Sequence, residues 1–457
     1  MINTLYLPEL REMLATHDVA GLQEFCSALH PGRTAEFMEG LTAAEAWAVL
    51  LATDLSSRAE IFGFLPEEIQ TEIVEISDPQ EISELIAQMP PDDRVDLLNQ
   101  VDPAVVEATL PLVPTEERRD ILRLRAYPEG TAGAVMTTEV AKLSETLTVR
   151  VALEELGRQA EDLETIYYIY LVDDEDHLRG VVGARQLVMH LGKPETRLAD
   201  LMERSLVTVE ATDDQEDVAE KVADFDFLAI PVVDDQQHLV GIITHDDVMD
   251  VFREEAEEDA YRAAAVEPLQ DSYLQTSVLS LAWKRGVWLC ILFGAALLTA
   301  FALKTYEEVI DKVTWLVFFI PLIMSSGGNS GGQSATLVIR ALSNKDVTLD
   351  DTRTVIKREL IMGLMLGGVL ALLGYLVGLW LIDATPYEIL VIPITLLVVV
   401  IFGTLCGAGL PLLFRRLGVD EALMSTPFVT VLIDIGGVLI YMTVALRMIT
   451  ELQELTG

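Results

Sequence analysis

Ser425-Thr426-Pro427-Phe428-Val429-Thr430-Val431-Leu432-Ile433-Asp434-Ile435-Gly436-Gly437 lies inside an apolar run, residues 422–449, long enough to cross a bilayer. Asp434 falls near the middle of that run. A carboxylate at that depth is costly, so something must hold it there. Thr426, Thr430 and Asp434 are spaced i, i+4, i+8 and form one polar stripe on a helix. Gly437 continues the stripe, where a neighbouring backbone or an ion can come close. Two readings compete. Asp434 is either a protonated residue bonded to another helix or part of an ion pathway, and intramembrane acids favour the second.

Working outward, four more apolar segments precede this one, at residues 281–303, 314–340, 358–382 and 387–413, making five predicted spans. Basic residues flank them unevenly. Lys284, Arg285, Arg340, Lys345, Arg353, Lys357, Arg358, Arg415 and Arg416 fall on one side. The positive-inside rule makes that side cytoplasmic and, with an odd number of spans, puts the C-terminus outside. The second span carries Gly327-Gly328-Asn329-Ser330-Gly331-Gly332-Gln333-Ser334-Ala335-Thr336. Four glycines with amides and hydroxyls suit close helix packing or a water-lined wall, not lipid.

The chain of 457 residues has 31 Lys+Arg against 73 Asp+Glu, a net charge of −42. From residue 274 onward there are 14 acids and 12 bases, which leaves 59 acids and 19 bases, a net of −40, in residues 1–273. Self-repulsion on that scale opposes compaction unless cations screen it. It also argues against a nucleic-acid partner, which needs Lys and Arg on its phosphates. Cys26, Cys290 and Cys406 have no spacing of a disulfide framework or zinc site. The first residues lack a signal-peptide pattern, which keeps the acidic half in the cytoplasm.

Residues 1–130 read as an all-α superhelical stack. Pro66, Pro79, Pro91, Pro103 and Pro114 recur every 11 to 13 residues, each followed by acids or an apolar helical pattern. Proline suits the first position of a helix, and acids suit its first turn. Residues 131–250 contain a repeat at an offset of 61: Ile169-Tyr170-Leu171-Val172-Asp173-Asp174 … His177-Leu178 matches Ile230-Pro231-Val232-Val233-Asp234-Asp235 … His238-Leu239. Each unit reads as helix, strand, acidic turn, strand, helix, and the pair resembles tandem CBS domains. Such modules often bind adenine nucleotides through a Thr or Ser and an Asp after the last strand. Thr244 and Asp247 match in the second unit, while Gly183 and Gln186 stand at the equivalent places in the first. ATP binding is therefore possible but weakened. Residues 251–279 form an acidic connecting helix; Asp250, just before it, and Glu255, Glu258 and Asp259 within it present carboxylates suited to a hydrated Mg²⁺. Residues 280–457 form the membrane domain.

This combination of parts, with the second-span motif and Pro427 … Asp434, resembles the MgtE family of magnesium channels over essentially the whole chain. The resemblance implies a homodimer in the plasma membrane with a pore on its two-fold axis. It implies that Asp434 recognises hydrated Mg²⁺ and that Thr430 offers a backbone carbonyl. It implies regulatory Mg²⁺ sites at Asp92, Asp96, Asp214, Glu216, Asp226, Asp247, Asp250, Glu255, Glu258, Asp259 and Asp420. Cytoplasmic Mg²⁺ bound there would close the pore. Gly332 departs from a common Asn in the motif, and Gln186 from the nucleotide-binding Asp. The alternatives are a coupled transporter or exchanger of divalent cations, or a membrane-anchored sensor. No pairing of nucleophile and base suggests an enzyme.

Overall fold

The computed structural model describes residues 5–160, 163–269, 273, 276–418, 426–449 and 452. The chain divides into two compact units, Met1–Arg253 and Glu254–Gly457.

The first unit opens with ten short helices: α1 (Leu7–Thr16), α2 (Val19–Ala28), α3 (Pro31–Met38), α4 (Ala43–Leu50), α5 (Leu55–Gly63), α6 (Glu67–Ile76), α7 (Pro79–Ile86), α8 (Pro91–Gln100), α9 (Pro103–Thr109) and α10 (Thr115–Leu124). The proline rhythm sets this register. Pro79, Pro91 and Pro103 occupy the first helical turn, whereas Pro66 and Pro114 sit one position earlier as caps. Either place tolerates a missing N–H, because the first amides of a helix lack intrahelical partners.

The 61-residue repeat becomes two small sheets. The first contains β1 (Val140–Ser144), β2 (Thr165–Val172) and β3 (Leu178–Gly183), with α11 (Val149–Gln159) before β2 and α12 (Ala184–Met189) after β3. The second contains β4 (Val209–Glu210), β5 (Ala229–Val233) and β6 (Leu239–Thr244), with α13 (Gln215–Asp224) before β5 and α14 (His245–Ala263) after β6. In each sheet the outer strands flank the middle one, the first parallel and the last antiparallel. Register repeats with the sequence, Ile169 opposite Val182 and Ile230 opposite Ile243. The leading segments are exchanged: Thr137, ahead of the first unit, bridges Ile242 of β6, and Glu203, ahead of the second, bridges Val181 of β3. Gly180 and Gly241 permit this, since a Cβ there would meet the Glu203 or Thr137 carbonyl oxygen at 2.9 or 2.7 Å. One continuous core runs from the helical stack (Ile86, Leu98, Leu124) through Met136 to Ile230, Ile243 and Val248. This core fixes α8 against the start of α14.

The second unit holds α15 (Val278–Thr305), α16 (Glu307–Lys312), α17 (Leu316–Ser343), α18 (Thr352–Leu381), α19 (Pro386–Ile389), α20 (Val391–Arg416) and α21 (Thr426–Met448). Four described segments are long and apolar enough to cross a membrane: Val278–Thr305, Leu349–Leu381, Pro386–Arg416 and Pro427–Met448. The expected second span differs. At 28 residues α17 is long enough, but its glycines, amides and hydroxyls keep it outside that set. Those same residues let it approach α20 and α21 closely. A Cβ on Gly407 would sit 2.1 Å from the Gly331 carbonyl oxygen, and one on Gly403 would sit 2.6 Å from that of Gly327. Backbone meets backbone here, as small-residue helix interfaces allow.

Candidate functional site

Two places gather the chemistry. In the first unit, the N-terminus of α8 and the start of α14 bring carboxylates together. Asp92 is buried in the first turn of α8, and its Oδ1 has no hydrogen-bond partner. Burial, and then the charges of Asp247, Asp93 and Glu164, push its carboxyl well above the usual range. Burial also raises Asp247, outweighing the hydrogen bonds it accepts from Thr244. Glu164, just before β2, is pushed up to about 7 by burial and then by Asp247, Glu139, Asp246 and Asp93. Asp93 presents much of its surface to solvent, yet protein crowds its carboxylate. That crowding, with Asp247, Asp246 and Asp250, raises it to about 6. The nearby buried Arg94 pairs with Glu139 at 3.3 Å and donates to the Ala87 carbonyl.

An orphaned, buried carboxylate oxygen amid like charges fits a cation. Among the described residues, no three acids, cysteines or histidines are arranged as direct ligands. A Mg²⁺ that keeps several waters suits such a loose set better than a dehydrated ion does.

The raised values fix a pH dependence. A carboxyl raised on folding favours the folded form fully below its unfolded pKa, about 4, and that contribution disappears as pH rises through the folded value. In divalent-free buffer, residues 1–253 should therefore melt at a higher temperature near pH 5 than near pH 8. The loss should begin near the unfolded value of about 4 and be complete by about pH 7, once Asp93, at about 6, and Glu164, at about 7, have ionised in the folded form. Added Mg²⁺ should flatten the profile. A melting temperature that rises monotonically from pH 5 to 8 without divalent ions would remove the cluster from the account.

Asp96 lies one turn after Asp92 on α8, with an exposed side chain. Asp214 caps α13, accepting from the Glu216 amide at 2.9 Å, and both side chains are exposed. Asp226 is exposed in a left-handed turn just beyond α13. The structure thus keeps Asp92 and Asp247 together and places Asp96, Asp214, Glu216 and Asp226 outside the buried cluster. On α14, Asp250 pairs with Arg253 at 2.8 Å, both largely exposed, and Glu258 pairs with Arg262. Glu255 and Asp259 are half-buried on the same helix. Asp420 lies outside the described residues. The sequence reading missed Asp93 and Glu164. Asp93 neighbours Asp92, but no local pattern around Glu164 foretells its place.

The expected nucleotide pair, Thr244 and Asp247, is engaged locally. Thr244 Oγ1 lies 2.6 Å from Asp246 Oδ1 and 2.5 Å from Asp247 Oδ2, and its amide donates to Asp247 at 3.0 Å. In the first unit the Gly183 amide donates to Gln186 Oε1 at 3.0 Å, the same closure made by an amide side chain.

In the second unit the glycine face of α17 packs on α21. A Cβ on Gly328 would touch the Thr430 side chain at 2.8 Å. Ile433 packs against Gly327 and Gly331, and a Cβ on Gly436 would strike the Phe402 ring. Asp434 is half-buried, and its Oδ1 is sealed from solvent with no hydrogen-bond partner. Thr426 begins the helix, and its side chain is outside the described set. On α17 one face (Gly327, Gly331, Ser334) is buried, while Ser325, Asn329 and Gln333, also one turn apart, are exposed. Asn329 bonds Ser325 at 3.2 Å. A stripe of amides and hydroxyls at this depth requires water or protein, not lipid.

A soluble unit of short helices and two small sheets, followed by long apolar helices with an acid within one of them, is the make-up of a multi-pass membrane protein. Sequence comparison agrees. Residues 320–444 match the family described as MgtE, divalent cation transporter, residues 29–130 match the MgtE intracellular N domain, and residues 132–193 and 198–254 match the CBS domain. The magnesium transporter MgtE of Thermus thermophilus is 44% identical over 72% of each chain. That of Enterococcus faecalis is 38% identical over 71% of this chain and 70% of the relative, and that of Bacillus subtilis 34% identical over 72% of each. Two solved structures, each 36% identical, overlay the soluble part. One is the soluble part of a magnesium transporter, with a TM-score of 0.51 covering 55% of this chain and 97% of the other. The second is the cytosolic domain of the Mg²⁺ channel MgtE in complex with ATP, with a TM-score of 0.50 covering 53% and 98%. The chain belongs to the MgtE family of magnesium transporters and is a transporter, not an enzyme.

Proposed function

We propose that the chain is a Mg²⁺-selective channel for magnesium uptake that closes when cytoplasmic Mg²⁺ binds the acidic soluble domains. The observation that carries this reading is the sealed, unpartnered Oδ1 of Asp434 on α21, the helix whose Thr430 and Ile433 pack on the glycines of α17. A buried acceptor without a donor needs a partner, and a hydrated cation supplies hydrogen-bond donors from its waters. On this reading α17 is the fifth spanning helix and its exposed stripe lines water. Two copies of the chain meet so that two Asp434 carboxylates serve one ion. The N-terminus lies in the cytoplasm and the C-terminus outside. Four parts divide the work: a helical sensor (1–130), the CBS pair (131–250), an acidic connecting helix (251–279) and the pore domain (280–457). The acids of α8 and α14 repel one another when Mg²⁺ is scarce and are drawn together when it binds, a two-state element biased by ion affinity.

Recording from the reconstituted full chain with Mg²⁺ as the sole permeant cation tests this. Unitary currents that need no counter-ion gradient are expected. Flux that stops without a proton or sodium gradient would instead establish an exchanger.

For the nucleotide, weak ATP binding is expected, because Gln186 offers no carboxylate to a ribose and Thr244 and Asp247 already bond each other. Gln186→Asp should tighten ATP by roughly tenfold, the worth of one charge-assisted hydrogen bond. Calorimetry on residues 131–253 with ATP decides it, and tight binding by the unaltered sequence would overturn the reading.

A further inference from the structure

The glycine-rich centre of α17 has few side chains with which to fix its own rotation. Gly327, Gly331 and Ser334 lie on its buried face, and the first two bring no side chain of their own to that packing. Ser334 is the exception. Its Oγ, on a residue 5% exposed, donates to Glu359 Oε2 on α18 at 2.6 Å. That length is the range of a hydroxyl donating to a carboxylate. The backbone carbonyl of Glu359 accepts in turn from Thr404 Oγ1 on α20 at 3.2 Å, and Thr404 is buried. One residue thus ties three helices, by its side chain to α17 and by its carbonyl to α20. The opposite face of α17 carries Ser325, Asn329 and Gln333, and Gly328 bears on Thr430 of the α21 stripe.

We propose that Glu359 is a positioning residue for the cation pathway. Through Ser334 it sets the rotation of α17, and so the direction of the Asn329–Gln333 stripe and the fit of Gly328 on Thr430. The carboxylate holds a proton donor on a neighbouring helix and does not itself meet the ion. This inference rests on the reading that cations pass along α17 and α21.

The test is the Mg²⁺-to-Na⁺ permeability ratio of the full chain in proteoliposomes, normalised to folded protein. Ser334→Ala and Glu359→Ala should each lower the ratio by roughly tenfold, the scale of losing a hydrogen bond to a charged group. The double variant should be no worse than either single one, because both remove the same tie. Glu359→Gln should recover most of the ratio, since its amide oxygen still accepts from Ser334. A native ratio in Ser334→Ala, even with reduced total flux, would overturn the proposal, and this variant decides the matter if Glu359→Ala fails to fold. Asp434→Asn is measured in parallel. If it too keeps the native ratio, the pathway reading itself has failed; if it alone loses the ratio, only the role of Glu359 has.

Discussion

Asp434→Ala should abolish selective Mg²⁺ flux, lowering it by at least about a hundredfold, because a divalent ion near one carboxylate at an effective dielectric of about 20 gains several kcal/mol. Asp434→Asn is the sharper variant. It keeps size and an acceptor but loses charge, so it should fold and conduct while discriminating poorly between Mg²⁺ and Na⁺. The physical ground is the sealed oxygen of Asp434, which finds no donor among the described residues. A wide site that holds the hydrated ion through its waters costs less than a cage of protein ligands, since Mg²⁺ dehydrates reluctantly. Isotope uptake into vesicles with competing Na⁺ reads the outcome. An Asn variant with native selectivity would return Asp434 to the role of a protonated packing residue.

The second large effect is expected in the soluble unit. Asp92→Asn together with Asp247→Asn removes two carboxylates that burial and the charges of neighbouring acids disfavour as anions. Without Mg²⁺ the variant should resist proteolysis at α8 better than the native chain, because the repulsion is gone. Its remaining response to Mg²⁺ should need at least about tenfold more ion, the ligands having been lost. The two shifts have opposite signs, which separates a sensor from a merely destabilised fold. If protease protection by Mg²⁺ is unchanged, sensing lies with Asp250, Glu255, Glu258 and Asp259 instead.

Local chemistry made much of this legible in the sequence. Prolines followed by acids marked helix starts because both solve the same problem of unpaired amides. The offset of 61 placed Asp173 and Asp234, His177 and His238 at matching turns, and the strands paired accordingly. The Thr426–Thr430–Asp434 spacing marked a polar stripe, and Asn329 with Gln333 marked another. What the sequence hid depends on tertiary packing. Glu164 nears Asp92 through tertiary contacts alone: Arg94, beside Asp92 on α8, pairs with Glu139, whose carbonyl accepts from the Glu164 amide. Glu359 reads as a flanking charge beside Lys357 and Arg358 until Ser334 is found bonded to it. The sequence counts five spans, whereas four described segments have the length and hydropathy of one; the difference is α17, whose glycines, amides and hydroxyls lower its apolarity.

The exchange of leading segments between the two small sheets carries a consequence for ancestry and assembly. Neither half closes its own sheet: β3 needs Glu203 and β6 needs Thr137. A lone half would offer an open strand edge to any second copy. Joining the halves in tandem turns that meeting into an intramolecular one, at an effective concentration set by a short tether and independent of protein abundance. Duplication followed by fusion therefore secures reciprocal completion. It also means that a break between the halves would release two sticky fragments in place of two working ones.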